Sequence, residues 1–168
     1  MTGVDPAAFR RAAGQFATGI VVIAATVDGV AHAMTVSAFT SVSLDPVLVL
    51  FCVEKAARFH DSVLAARTWA VSVLDEDAEK TARWLATRGR PLEAQLEGYP
   101  HHPGPATGAP VLDSSLSALE CRTYAVHDGG DHTIVVGEVL AVSEPAASGD
   151  GPGPLIYHAG RYRRLHGA

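Results

Sequence analysis

The chain has 168 residues and a formal net charge of -5, from 13 Lys and Arg residues and 18 Asp and Glu residues. Because nucleic-acid binding requires a basic surface, this charge excludes nucleic acid as an expected partner. Hydrophobic residues make up 48% and charged residues 18%, which is typical of a globular protein, and we predict a single domain over residues 1–168.

The compartment is predicted from what the sequence lacks and from its cysteines. The N-terminal segment has no apolar core of a secretory signal, and no apolar run approaches the ~20 residues that span a bilayer. Cys52 and Cys121 lie far apart in apolar runs without a CxxC motif, so we interpret them as buried free thiols. We therefore expect a soluble, cytoplasmic protein with no membrane contact.

Capping residues and periodicity predict three short helices. The first covers residues 7–16, and Asp5 is expected to cap it. The second covers residues 56–66, where apolar side chains recur at helical spacing. In the third, over residues 76–86, Asp75 is the expected cap.

Strands dominate the remaining pattern. The Asp28-Gly29 pair predicts a hairpin, Asp45-Pro46 predicts a turn, and residues 87–110 predict a long surface loop. A Gly/Pro linker precedes the last strand, and short antiparallel strands joined by hairpins favour a closed barrel. Strands are predicted over residues 19–27, 30–34, 47–53, 69–74, 116–126, 133–142 and 155–162.

Hydroxyl-bearing side chains recur along residues 35–43. In extended backbone alternate side chains share a side, and hydroxyls are able to donate to a phosphate or to the ring oxygens and nitrogens of a bound cofactor. An ordinary half-exposed strand is the alternative interpretation. The predicted polar side carries Thr35, Ser37, Phe39, Ser41 and Ser43, and the predicted core side carries Val36, Ala38, Val42 and Leu44.

Three further candidates lie at strand ends. Lys55 and Arg58 follow an apolar strand and are able to complete a phosphate site, although isolated basic residues are often only solvated. His132 begins a long strand after a glycine pair, where it would line a pocket or lie on the surface. His101 and His102 have no metal-ligand spacing, so no metal site is predicted.

Several familiar motifs are missing from the sequence. It contains no GxGxxG motif after a strand and no GxxxxGK[ST] motif, so a nicotinamide cofactor would bind without a Rossmann unit. It also contains no GxSxG motif, which argues against an α/β-hydrolase.

Four sequence blocks resemble the flavin reductase-like family, whose members reduce flavin for two-component monooxygenases. They occur in the family's order and span nearly the whole chain. The blocks are FATGIVVIAA (16–25), HAMTVSAFTSVSLDPVLVLFCVE (32–54), GDHTIVVGEV (130–139) and PLIYHAGRYRRL (154–165).

This resemblance implies a mainly β fold, an FMN-binding split β-barrel of Greek-key type with a few short helices, and a homodimer. It places His132 beside the nicotinamide as a positioning residue. Ser72 replaces an Asn common in the family, and Ala56 or Ala57 replaces a Ser. The flavin-binding residues it implies are Thr35, Val36, Ser37, Ala38, Ser41, Val42, Ser43, Cys52, Lys55, Arg58, Phe59 and Tyr157.

The function implied is an NAD(P)H:flavin oxidoreductase that transfers hydride from NADH or NADPH to FMN or FAD. The reduced flavin would pass to a partner monooxygenase. Such a transfer needs no acid or base from the protein, only two rings held at near-attack distance. A flavin-binding oxidase or oxygenase on the same barrel, and a non-catalytic flavin-binding module, are the alternatives.

Overall fold

The computed structural model describes residues 3–91, 93–144 and 151–165. The helices in these ranges are α1 (Pro6–Ala13), α2 (Arg58–Ala66) and α3 (Glu79–Ala86). The strands are β1 (Thr18–Gly19), β2 (Val21–Val27), β3 (Val30–Val36), β4 (Phe39–Leu44), β5 (Val47–Glu54), β6 (Thr68–Leu74), β7 (His101–Pro103), β8 (Pro110–Leu112), β9 (Ser115–Gly129), β10 (His132–Ser143), β11 (Ile156–His158) and β12 (Arg161–Arg163). None of these helices has the length and hydrophobicity that crossing a bilayer requires.

Seven strands form the main sheet, in the order β3-β2-β6-β9-β10-β5-β4. Every neighbouring pair is antiparallel. The predicted hairpin between β2 and β3 is confirmed: Asp28 and Gly29 have φ values of 50° and 77°, the positive values that a two-residue hairpin turn favours.

The main sheet curls but does not close. Its two edge strands are β3 and β4, and among the described residues no ladder joins them. Met34 of β3 and Phe39 of β4 nevertheless pack against the same core cluster, because the sheet bends around it. The prediction of a closed barrel is therefore wrong, whereas the mainly β, split β-barrel fold is confirmed.

The core inside the curled sheet centres on two aromatic rings. Phe51 and Trp69 are fully buried and meet edge to face, with ring centroids 4.9 Å apart. The Trp69 indole Nε1 donates to the hydroxyl of Thr123 at 3.1 Å, so its polar atom is satisfied. Phe59 and Val63 of α2 pack against this core, as the helical spacing predicts.

A second core lies on the opposite face of β2 and β3. Val22 of β2 packs there with Ala82 and Leu85 of α3. The Thr35 hydroxyl donates to the carbonyl oxygen of Ala82 at 2.8 Å and so ties β3 to α3. Residues from later segments complete this core, among them Leu96, Leu112 and Leu155.

Several predictions of secondary structure need correction. Helix α1 ends at Ala13, three residues before the predicted end at residue 16. Helix α3 begins at Glu79, because Asp75 instead bridges to Pro154 and its carboxylate accepts from the Asp77 N–H at 3.0 Å. The predicted loop over 87–110 contains β7, which pairs with β8. The predicted last strand is the hairpin β11–β12, and residues 145–150 of the predicted linker lie outside the described residues.

Candidate functional site

A cavity of about 380 Å³ lies between β3, the start of α2 and the segment that follows α3. This volume is in the range of small-molecule sites. Of the predicted flavin-binding residues, Thr35, Arg58 and Phe59 line it. The other lining residues are His32, Met34, Glu54, Ala56, Ala57, Leu85, Ala86, Thr87, Arg88, Gly89, Arg90 and Gln95.

The prediction that the hydroxyls of residues 35–43 share one face is wrong. Ser37 and Ala38 form a bend between β3 and β4, and this break shifts the alternation. Thr35 therefore faces α3, whereas Phe39 faces the core of the curled sheet. On the predicted core side only Val36 is buried; the side chains of Ala38, Val42 and Leu44 are exposed.

The serine hydroxyls of this segment lie outside the cavity lining. Ser37 and Ser41 are exposed, so their hydroxyls are open to a ligand from solvent. The Ser43 hydroxyl accepts from the Asp45 N–H at 3.2 Å and supports the turn before β5. The two exposed serines are thus the better candidates for ligand contact.

Lys55 connects the end of β5 to the tip of the β9–β10 hairpin. Its ammonium pairs with the Asp128 carboxylate, and its backbone N–H donates to the carbonyl oxygen of Asp131 at 3.0 Å. The hydrogen bond from Lys55, followed by one from the Gly130 N–H, lowers the pKa of Asp128. Lys55 borders the cavity segment 54–59, but its charge is already paired.

His132 lies one strand away from the cavity. It is the first residue of β10 and stands opposite Glu54 of β5, whose side chain lines the cavity. The His132 Nδ1 atom lies 2.7 Å from an Asp131 carboxylate oxygen, and 42% of the side chain is exposed. The hydrogen bond from His132 is the main cause that lowers the pKa of Asp131. His132 is therefore a partly exposed neighbour of a lining residue and is not itself part of the cavity lining.

The structure places Cys52 and Tyr157 outside the cavity lining. Cys52 lies opposite Ile134, donates its N–H to the Ala38 carbonyl oxygen at 3.0 Å, and has a pKa raised by burial. The Tyr157 ring packs edge to face on Tyr162, with centroids 5.3 Å apart, against the second core.

The sequence analysis did not predict a set of side-chain hydrogen bonds between α2 and β10. His60 of α2 holds its Nε2 atom 2.9 Å from the hydroxyl of Thr133 and its Nδ1 atom 2.7 Å from an Asp61 oxygen. It therefore joins α2 to β10 directly beside His132. The adjacent His60-Asp61 pair was visible, but Thr133 is 73 positions away in the chain.

Two arginines of the segment after α3 were also missed, because that segment resembles a surface loop. Arg88 lies 2.6 Å from a Glu54 carboxylate oxygen. Arg90 donates to the carbonyl oxygens of Ala33 and Thr87 and to the Gln95 side chain. Burial, and then the charge of Arg58, lower the pKa of Arg90.

Comparison with known proteins identifies the family to which this fold belongs. The "Flavin reductase like domain" model matches residues 13–166. An NADH-dependent FAD reductase of Streptomyces globisporus is 40% identical over 164 residues, covering 96% of this chain and 86% of the relative. The FMN reductase (NADH) SmoA of Agrobacterium fabrum is 38% identical over 163 residues, covering 97% of this chain and 88% of the relative.

A solved structure supports the same assignment. BorF, the flavin reductase component of a bacterial two-component tryptophan halogenase, superposes with a TM-score of 0.88 at 38% identity. The match covers 98% of this chain and 100% of BorF. Together with the domain match over residues 13–166, it shows that this chain belongs to the flavin reductase-like family.

Proposed function

We propose that this chain is an NAD(P)H:flavin oxidoreductase that transfers hydride from NADH or NADPH to FMN or FAD. The observation that carries the proposal is a basic cavity at the segment 55–59, which family resemblance assigns to the flavin. The relatives named above are NADH-dependent reductases of FAD or FMN, and one serves a two-component halogenase. We therefore expect the reduced flavin to pass to a separate flavin-dependent monooxygenase.

The residues at the cavity fit a flavin nucleotide. Arg58 and its arginine neighbours supply the cationic donors that a phosphate needs. Bound flavin supplies the hydride acceptor, and the chain supplies position and charge. Arg58 would hold the phosphate, and Lys55 would join it by exchanging the exposed Asp128 carboxylate for the phosphate, while the exposed hydroxyls of Ser37 and Ser41 would donate to the ring system.

His132 is assigned to positioning. His132 stands opposite Glu54, a residue of the cavity lining, and its Nδ1 atom lies 2.7 Å from an Asp131 carboxylate oxygen. The His60–Thr133 hydrogen bond fixes the neighbouring residue of β10 against α2. The ring would therefore present one face to the nicotinamide without moving a proton, because hydride transfer itself requires none.

A homodimer belongs to the same proposal. Apolar side chains remain exposed along β4, β5 and β10, strands that are consecutive in the main sheet. Exposed apolar surface of this kind often marks a protein interface. The exposed apolar residues on these strands are Val42, Leu44, Val47, Leu140 and Val142.

The two cysteines bear on the compartment. Cys52 and Cys121 are free thiols, which supports a reducing compartment such as the cytoplasm.

The test is steady-state oxidation of NADH and of NADPH by the purified protein with FMN, FAD and riboflavin in turn. We expect oxidation that depends on added flavin and exceeds the reaction without protein. An oxidase with resident flavin would oxidise NADH without added flavin, and a binding module would bind flavin but leave NADH unchanged. Either result would refute the reductase assignment.

A further inference from the structure

His60 holds the first turn of α2 against the main sheet. Its side chain is 15% exposed, and each ring nitrogen has a partner: an Asp61 carboxylate oxygen at 2.7 Å and the Thr133 hydroxyl at 2.9 Å. No side chain caps the start of α2, because the residue at that position is Ala57. His60 therefore supplies a polar connection between the first turn of α2 and β10.

The two partners of His60 fix the direction of both hydrogen bonds. An ionised carboxylate accepts but does not donate, so the ring proton lies on Nδ1, facing Asp61. In the neutral imidazole Nε2 then accepts, and the Thr133 hydroxyl donates. Neither the ring nor the hydroxyl is able to reorient without losing a partner, so the connection has one geometry.

Thr133 places this hydroxyl on an otherwise apolar face of β10. Thr133 is buried, it stands opposite the fully buried Val53 of β5, and the next inward-facing residue of its own strand is the fully buried Val135. A valine has nearly the same shape as threonine and would avoid the cost of burying a hydroxyl. An apolar pair would fill the same space, but it would give the contact with His60 no fixed direction.

The hydrogen bond joins two parts of the proposed site. Phe59, which lines the cavity, immediately precedes His60 in α2, and His132 immediately precedes Thr133 in β10. One side-chain contact therefore sets the spacing between the proposed flavin segment and the residue assigned to the nicotinamide. Hydride transfer needs its reacting atoms about 3–3.5 Å apart, and a misplacement of about 1 Å is able to slow such a step about a hundredfold.

We propose that His60 is a positioning residue for hydride transfer, acting through Thr133 to hold the flavin segment of α2 at a fixed distance from the strand that carries His132. The inference rests on the proposed reductase function and adds to it a residue outside the cavity lining. It predicts that loss of this hydrogen bond slows hydride transfer more than it weakens the binding of flavin or NADH.

The first test is Thr133→Val in anaerobic stopped-flow experiments with saturating FMN and NADH. We expect the rate constant of flavin reduction to fall about tenfold, while the Kd for FMN and the KM for NADH change by less than about twofold. Thr133→Ser keeps the hydroxyl and should recover most of the rate. Thr123→Val is the matched control: it removes a hydroxyl that accepts from the Trp69 indole at 3.1 Å, so it should lower stability without slowing hydride transfer.

A double variant separates positioning from structural support. His60→Leu combined with Thr133→Val replaces both polar groups, so no buried group loses its partner and the urea midpoint should return towards that of the wild type. If His60 positions the site, hydride transfer stays about tenfold slow although stability recovers. A readout independent of turnover is the ring tautomer: at about pH 8.5, where a free histidine is neutral, long-range proton–nitrogen NMR spectra of the flavin-free protein should show His60 protonated at Nδ1.

Three outcomes overturn the inference. One is an unchanged rate of hydride transfer in Thr133→Val, or equal slowing in Thr123→Val. Another is a rate that recovers together with stability in the double variant, which would show that His60 only supports the fold. The third is a His60 ring protonated at Nε2 alone. Failure of the reductase proposal is separate, since it appears as absent flavin-dependent NADH oxidation in the wild type.

Discussion

Gly137 of β10 lies where no side chain fits. A Cβ atom at this position would lie 2.6 Å from Cη2 of Trp69 and 3.2 Å from Cβ of Cys121. The indole is unable to move away, because it is fully buried, packs on Phe51 and donates to Thr123. Gly137→Ala therefore overpacks the centre of the core, and we expect it to lower the free energy of unfolding by about 2–3 kcal/mol.

Urea unfolding followed by tryptophan fluorescence measures this loss, since Trp69 lies at the perturbed site. Gly19→Ala is the control, because an added Cβ there meets no atom within 4 Å. We expect the control to change the free energy of unfolding by no more than about 0.5 kcal/mol. A Gly137→Ala variant as stable as the control would refute the packing argument.

Three further predictions test the site and its surroundings. Thr35→Val removes the hydroxyl that ties β3 to α3 and should lower the free energy of unfolding by about 1 kcal/mol in urea titrations; lost flavin affinity at unchanged stability would show instead that this hydroxyl binds flavin. His132→Ala should raise the KM for NADH and slow hydride transfer in stopped-flow traces, with the pH profile of kcat unchanged in shape; wild-type rates would remove His132 from the site. Burial, followed by the charge of Glu120, raises the pKa of Cys121 from 9.0 to about 12. Between these pH values only the unfolded chain forms the thiolate, so the free energy of unfolding should fall as the pH rises. A free energy of unfolding that stays constant in alkaline urea titrations would contradict this prediction.

Much of the local structure was predictable because short-range chemistry decides it. The Asp5 carboxylate accepts from the N–H groups of Ala7 and Ala8, as a capping residue should. The turn at Asp28-Gly29 follows from the positive φ values that these residues tolerate. Even so, the start of α3 was misplaced, because Asp75 pairs with Pro154 far along the chain.

The candidate site was predictable only in part. Family resemblance pointed to the segment 55–59, and Arg58 and Phe59 do line the cavity. The alternation over residues 35–43 failed, since a bend at Ser37 and Ala38 shifts its phase and an irregularity in the β4–β5 pairing between Ser41 and Ser43 shifts it again. No local pattern indicates such a bend.

By itself, the sequence determined the mainly β class, the presence of three short helices, the hairpin at Asp28-Gly29 and, through four ordered blocks, the family. Tertiary structure alone decided which polar groups meet. His60 and Thr133 are 73 positions apart, and Arg90 and Ala33 are 57 apart, yet each pair is hydrogen-bonded. The physical reason is that secondary-structure propensity and hydrophobic periodicity depend on residues close together in the sequence. The hydrogen-bond partners of a buried charge or hydroxyl depend instead on how the sheet curls and on which segment packs over its open edge.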